Sequence, residues 1–334
     1  MSKDQKLVKI KRDTKSLVMK NLIVMAVLII IALTGVISWF TNKTEATADG
    51  INVTCEAPKG LKIAVVRHGE KAPDVNDETQ WSEGEITLTK DAYPFLKEQS
   101  IIEITSDGTD FYKPKLTQEN GKAKPDTSSV WDVADKDAYL SIDVYMKTGE
   151  DHVVNLNSET EISPISTTLT GENSGNKSDD GDFSKDCIVG AVRLSTVSTV
   201  STVDSTDSTI KNLWIPAPQI HYNSDKKEVT LNNTPDTSGD TFNHKYWKVA
   251  KNSDGKTGMP QGTTPVEYEG VITNTNNDFK LGENCKFANL TKKQPSDKYA
   301  TGMTTVNIWV DGEDDEARFA MVGGKFKATI KLSL

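Results

Sequence analysis

Apolar residues fall at every second position along several stretches of this chain. Leu140, Ile142, Val144 and Met146 alternate with Ser141, Asp143, Tyr145 and Lys147, the pattern of a half-buried strand with one face on a core and one in solvent. Near the C-terminus Phe326, Ala328, Ile330, Leu332 and Leu334 alternate with Lys325, Lys327, Thr329, Lys331 and Ser333. Further strands are predicted over 61–66, 86–89, 101–105, 187–194, 213–215, 228–231, 245–249, 266–273 and 304–310. Asp107-Gly108, Asp254-Gly255 and Gly323-Gly324 supply turn chemistry between them. Beyond the N-terminal segment, helical character is confined to a short turn over 90–98. Alternating strands with no helices between them predict an all-β fold, with antiparallel sheets closed into a jelly-roll-like β-sandwich.

Two stretches interrupt this pattern. Residues 167–185 are rich in Gly, Asn, Ser and Asp, and 195–209 repeat Ser-Thr-Val before Asp-Ser-Thr. Both read as low-complexity loops without a packed role.

The longest apolar run covers residues 22–40, 19 residues without a charge. As a helix it would span roughly 28 Å, close to the hydrocarbon thickness of a bilayer. Seven basic residues (Lys3, Lys6, Lys9, Lys11, Arg12, Lys15, Lys20) precede it against Asp4 and Asp13, so the first 20 residues carry +5. That asymmetry predicts a cytoplasmic tail over 1–20, a transmembrane signal-anchor or signal peptide over 21–40, and an exterior domain over 41–334. Small residues at Val36-Ile37-Ser38 and at Ala46-Thr47-Ala48 offer two cleavage points, so both a single-pass and a secreted form are open.

Charge narrows the partners. The 334-residue chain carries −9, which leaves −14 on residues 21–334 once the +5 tail is subtracted. An acidic exterior of that size disfavours nucleic acid, whose binding depends on neutralising phosphates. Cys55, Cys187 and Cys285 are an odd set that allows at most one internal disulfide, and their wide spacing suits neither a zinc knuckle nor a redox pair.

The junction after the apolar run reads Gly35-Val36-Ile37-Ser38-Trp39-Phe40-Thr41-Asn42, then Ala46-Thr47-Ala48-Asp49-Gly50-Ile51-Asn52-Val53. It resembles the leader of TasA-type matrix proteins and camelysin of Gram-positive bacteria, in which a β-strand begins soon after the aromatic step. The end of the chain, Val306-Asn307-Ile308-Trp309-Val310-Asp311-Gly312-Glu313-Asp314 and then Gly323-Gly324-Lys325-Phe326, is similar to a broader set of proteins with such leaders. Members of that set often carry a Cys in the acidic turn; Ala317 falls there in this chain, so the resemblance implies no disulfide at that point. What it does imply is a surface or biofilm-matrix role, with self-assembly by donation of an N-terminal strand. Asn42–Ala57 would be the donor.

Candidate chemistry is sparse. Leu61-Lys62-Ile63-Ala64-Val65-Val66 runs into Arg67-His68-Gly69-Glu70, similar to the signature of histidine phosphatases, in which the His attacks phosphorus and the Arg neutralises phosphate oxygens. That chemistry needs a second His and an acid, and the other histidines, His152, His221 and His244, are scattered. Camelysin's peptidase label raises zinc hydrolysis, but no His-Glu-x-x-His occurs. Asp311, Glu313, Asp314, Asp315 and Glu316 form an acidic cluster that could take Ca²⁺, although they lack the spacing of a dedicated loop. Trp214-Ile215-Pro216-Ala217-Pro218 and Tyr246-Trp247 are the densest aromatic stretches, candidates for a glycan surface or for core. The sequence therefore assigns no catalytic, cofactor or metal residue. It predicts a non-enzymatic cell-surface protein, with a phosphatase at His68 and a glycan-binding module as alternatives.

Overall fold

The computed structural model describes residues 51–99, 101–113, 116–119, 122–125, 131–164, 185–200, 208–217, 220–223, 228–231, 245–246, 249–251, 257–260, 266–267, 271–273, 279–311 and 326–334. Thr44–Leu334 group as one compact unit. The predicted membrane segment at 21–40 lies outside the described residues. Among the described residues no helix is long and apolar enough to cross a membrane.

The described chain is all-β, with strands numbered here in chain order. One sheet runs β22 (Cys285–Leu290), β11 (His152–Leu156), β24 (Phe326–Ser333), β1 (Ile51–Glu56), β4 (Glu85–Leu88), with β12 (Glu161–Pro164) also paired to β24. The larger sheet runs β21 (Val271–Thr273), β14 (Ser208–Ile215), β13 (Val192–Val200), β23 (Ala300–Asp311), β10 (Leu140–Thr148), β2 (Lys62–Arg67), β3 (Ser82–Glu83). On its flank β5 (Glu103–Ser106) joins β23 and β6 (Phe111–Lys113), and β6 pairs β9 (Asp132–Val133). Four ribbons complete the described strands: β7 (Leu116–Glu119) with β8 (Lys122–Pro125), β15 (Ile220–Asn223) with β16 (Glu228–Leu231), β17 (Lys245–Tyr246) with β20 (Val266–Glu267), and β18 (Val249–Lys251) with β19 (Thr257–Pro260).

The sheets are mixed, not purely antiparallel as the sequence suggested. β1 lies parallel to β24, β14 to β21 and β23 to β5. Each of these pairs joins segments far apart in sequence, where no tight hairpin imposes antiparallel pairing.

Both sheets contribute to a single core. Val53 and Cys55 of β1, Ile162 of β12, Phe287 of β22 and Ile330 of β24 pack in one buried cluster with Ile63 of β2, Val144 of β10, Leu194 of β13 and Ile308 of β23. β24 follows its predicted alternation: Phe326, Ala328, Ile330 and Leu332 are buried, while Lys327 is exposed and Thr329, Lys331 and Ser333 are half-buried. Leu334 is the exception and is exposed.

Three expectations need correction. β10 is not half-buried: Ser141, Asp143 and Lys147, assigned to solvent by their polarity, are all buried. A second cover lies on that face, formed at one end by Ile104, Phe111, Leu213, Ile215 and Trp309. Of the predicted loop at 195–209, residues 195–200 are instead the second half of β13 and 208–209 the start of β14, paired from Ser195↔Leu213 to Val200↔Ser208, while 201–207 lie outside the described residues. Its β-branched Thr and Val residues suit a strand, and Ser195, Thr196 and Ser198 are buried. Finally, the strand expected from Cys187 starts only at Val192, after a 3-10 turn over Lys185–Ala191. The carbonyl of Gly190 accepts from the Arg193 guanidinium at 2.9 Å, a partner that a sheet ladder would otherwise supply. The other loop, 167–185, lies outside the described residues except for Lys185.

Candidate functional site

Two features stand out on the body, a strand slot and a polar system on β10. The slot belongs to β1. Its six residues pair in parallel with β24, from Ile51↔Phe326 to Glu56↔Lys331. On its other side Val53–Glu56 pair antiparallel with β4, from Val53↔Leu88 to Glu56↔Glu85. Val53 and Cys55 point into the core and are buried. The first described strand after the predicted leader thus sits inside its sheet, enclosed by the last strand of the chain and by a four-residue edge strand. Of the predicted donor Asn42–Ala57, residues 42–50 lie outside the described residues.

The polar system is carried by the alternating side chains of β10. The Asp143 carboxylate accepts from Thr305 Oγ1 at 2.7 Å and from the Gly69 amide at 3.3 Å, and it holds His68 Nδ1 at 2.8 Å. Its side chain is 4% exposed against 54% for His68. An ionised carboxylate only accepts, so Nδ1 is the ring's donor to Asp143. An imidazole oriented in this way can move a proton. Thr305 donates its own proton to Asp143, so its hydroxyl is not poised as a nucleophile for His68.

Four residues further along β10, Lys147 is fully buried. Its Nζ donates to Val75 O at 2.8 Å and to Glu78 Oε1 at 3.2 Å. It also lies 4.5 Å from the ring centroids of Trp81 and of Tyr299, a cation–π clamp on two sides. Glu78 gathers two further donors, Lys62 Nζ at 2.7 Å and Tyr299 OH at 2.5 Å. Hydrogen bonds from Lys62, then Tyr299 and Lys147, hold its carboxyl down at about 2. The chain between β2 and β3 is thereby tied to β10 at both ends, through His68–Asp143 and through Glu78 and Trp81 on Lys147. Within it, the Asp77 side chain accepts from Thr79 N and caps the 3-10 turn Glu78–Gln80, and Trp81 Nε1 donates to Asp74 O at 2.8 Å.

The phosphatase-like motif is divided. The Arg67 guanidinium lies 5.7 Å from the Phe95 ring centroid and 3.6 Å from Glu98, away from the Asp143 network that holds His68. Glu70 is exposed, and its amide donates to Arg67 O. His152 is an exposed residue at the start of β11 and His221 belongs to β15; His244 lies outside the described residues. Among the described residues no cluster of three His, Cys, Asp or Glu could hold a metal ion. Of the acidic cluster, Asp311 is buried at the end of β23, and 312–325 lie outside the described residues. Trp214 and Ile215 are buried, which removes them as a surface platform; Trp247 and Pro218 lie outside the described residues. Cys55 and Cys285 are free thiols, separated in the sheet by β24 and β11.

Sequence reasoning found His68 but missed Asp143 and Lys147, whose alternation with apolar residues read as a solvent face, and Thr305, which it placed only within a strand. An Asp and a Lys alternating with Leu140, Ile142, Val144 and Met146 in one strand were the available signal. Searches of family models, curated proteins and solved structures found no match to this chain.

Proposed function

We propose that the chain is a non-enzymatic exported surface protein, with a matrix or adhesion role, whose sandwich-like body joins other copies by exchanging β1. One observation carries the reading. The strand that follows the leader is not a peripheral arm but an internal member of its sheet, hydrogen-bonded on both sides and anchored by Val53 and Cys55. A neighbour's copy of that segment would find the same ladder and the same two core positions, so register is built in. The basic tail and apolar run at 1–40 support export, and the leader resembles that of TasA-type proteins. The proposed localisation is the cell surface, single-pass or released after cleavage; the partners are a membrane through 21–40 and other copies of the chain.

The test removes residues up to Phe40 and follows assembly by electron microscopy, with and without Asn42–Ala57. Filaments only when the segment is present are expected. Protein that stays monomeric under every condition would refute exchange.

The Asp143-oriented imidazole of His68 favours a second reading, proton-transfer chemistry on the outer face of the larger sheet. It predicts turnover of a generic phosphate monoester that disappears in His68→Ala. A glycan array on the same preparation separates a ligand-binding module from a structural subunit.

A further inference from the structure

We infer that the segment between β2 and β3 is a latch on the β1 slot, and that the clamp on Lys147 sets how readily the slot opens to a second copy. The inference rests on the strand-exchange reading above and adds its control point.

The argument starts at β4. This strand is the outer wall of the slot, yet it pairs with β1 over only four residues, and of these Leu88 alone is buried. A four-residue edge strand with one buried side chain has little to hold it by itself. Ile86 adds a half-buried contact with the core, and the chain leading into the strand adds further ties. Ser82 and Glu83 pair with Ile63 and Lys62 as β3, and Gly84 (φ +97°) then turns the backbone across to the other sheet. Ala57 N donates to Gly84 O at 2.8 Å and Gly60 N to Glu83 Oε1 at 2.9 Å, so the crossing also grips the residues just after β1.

Immediately before this crossing come Glu78 and Trp81, which clamp Lys147 together with the Val75 carbonyl and the Tyr299 ring. A buried ammonium is costly without its partners, so Lys147 favours the closed segment strongly. If the clamp opens, water must reach Nζ, the 78–83 segment lifts, and β4 loses its lead-in. One edge of β1 is then bare, and a donor leaving the slot, or an incoming one, has a single ladder to exchange instead of two. The clamp is polar and aromatic, made of groups that can re-solvate, which suits a contact that has to open and close.

Hydrogen exchange by mass spectrometry on the full-length chain in detergent tests this. Trp81→Ala and, separately, Glu78→Ala are expected to speed exchange of β1 and β4 amides about tenfold while β13 and β14 keep wild-type rates. Adding Lys147→Met to Glu78→Ala removes the stranded charge and is expected to restore much of the protection. Unchanged exchange at β4, or equal acceleration across β13 and β14, would overturn the latch. Isotope-labelled and unlabelled full-length chains are then mixed and followed by native mass spectrometry. Mixed oligomers that form faster in Trp81→Ala support the latch and the exchange together. Faster exchange at β4 with no mixed oligomers keeps the latch and sinks the strand-exchange reading.

Discussion

Gly302→Ala should destabilise the protein by wedging β22 off the larger sheet. Gly302 lies in β23 opposite Met146. A Cβ there would stand 2.6 Å from Leu290 Cδ2 and 2.9 Å from the Asn289 carbonyl oxygen. Leu290 is buried, so its methyl has little room to swing away, and Asn289 is held by pairing with Val153. The whole of β22 must therefore retreat. Two bonds would stretch with it, Thr304 Oγ1 to Phe287 O and Asn212 Nδ2 to Lys286 O, both 2.8 Å. Overpacking of this kind costs about 1–3 kcal/mol. Each broken hydrogen bond adds about 0.5–1.5 kcal/mol. Replacing Gly also restricts the unfolded chain, a gain of about 0.4–1 kcal/mol that works in the other direction. The net expectation is a loss of about 1–5 kcal/mol in urea unfolding, the upper end applying if both hydrogen bonds break, with faster hydrogen exchange concentrated in 285–290. Gly149→Ala is the control: nothing lies within 4 Å of its Cβ position, so stability should stay within about 0.5 kcal/mol. A Gly302→Ala protein as stable as wild type would show that β22 does not press on β23, and the reasoning would fail.

Three further outcomes are expected. Ile330→Ala, at a fully buried position of β24 beside Cys55, should cost about 2–5 kcal/mol by urea unfolding; a loss below about 1 kcal/mol would contradict the shared core. Burial pushes the Cys55 thiol up to about 12 and the Cys285 thiol to about 11, so mass spectrometry should find neither alkylated by iodoacetamide at pH 8 until the protein is unfolded; rapid native labelling of Cys55 would be inconsistent with a closed slot. The Glu78 carboxyl is lowered from 4.5 to about 2, so its support of the latch is complete above about pH 4.5 and is lost as pH falls through 2. Exchange at 78–88, read at matched chemical rates, should hold steady from pH 7 to 4.5 and rise below it; a rise already at pH 6 would implicate another group.

Period-2 patterning located β10 and β24 in the sequence, and in β24 burial follows the parity of its own residues. What parity cannot report is what covers the second face. Ser141, Asp143 and Lys147 obey the polar half of the pattern and are nevertheless buried, since residues 68–81 and the β5–β6–β9 flank, distant in sequence, lie over them. The Ser-Thr-Val tract fails for a related reason. Low complexity suggests a loop, but the same β-branched residues satisfy a ladder once Val306 and Asn212 stand on either side of Thr196. Parallel pairing of β1 with β24 was also invisible, because nothing local to either strand specifies a partner more than 270 residues away. Arg67-His68 shows the limit of a short motif: adjacency in sequence brought an Arg and a His together on paper, while the fold sends one to Phe95 and Glu98 and the other to Asp143.

The two outer strands of the smaller sheet are protected by different means, and the difference bears on function. At β22 the carbonyls of Lys286 and Phe287 are occupied by side chains from β14 and β23, and Gly302 lets the strand lie directly on the larger sheet. That closure is made of packed core, so it opens only with the body itself. At β4 the wall is short and its position depends on a tether clamped by one ammonium, one carboxylate and two rings. A protein that needed only to keep its edges from pairing would gain nothing by making one closure so much easier to release than the other. A protein that exchanges β1 requires that asymmetry, because the strand must leave past β4, taking Val53 and Cys55 with it, while β24 and the rest of the core stay in place. The weaker wall stands beside the strand that follows the predicted leader, which is where the proposed strand exchange would need it.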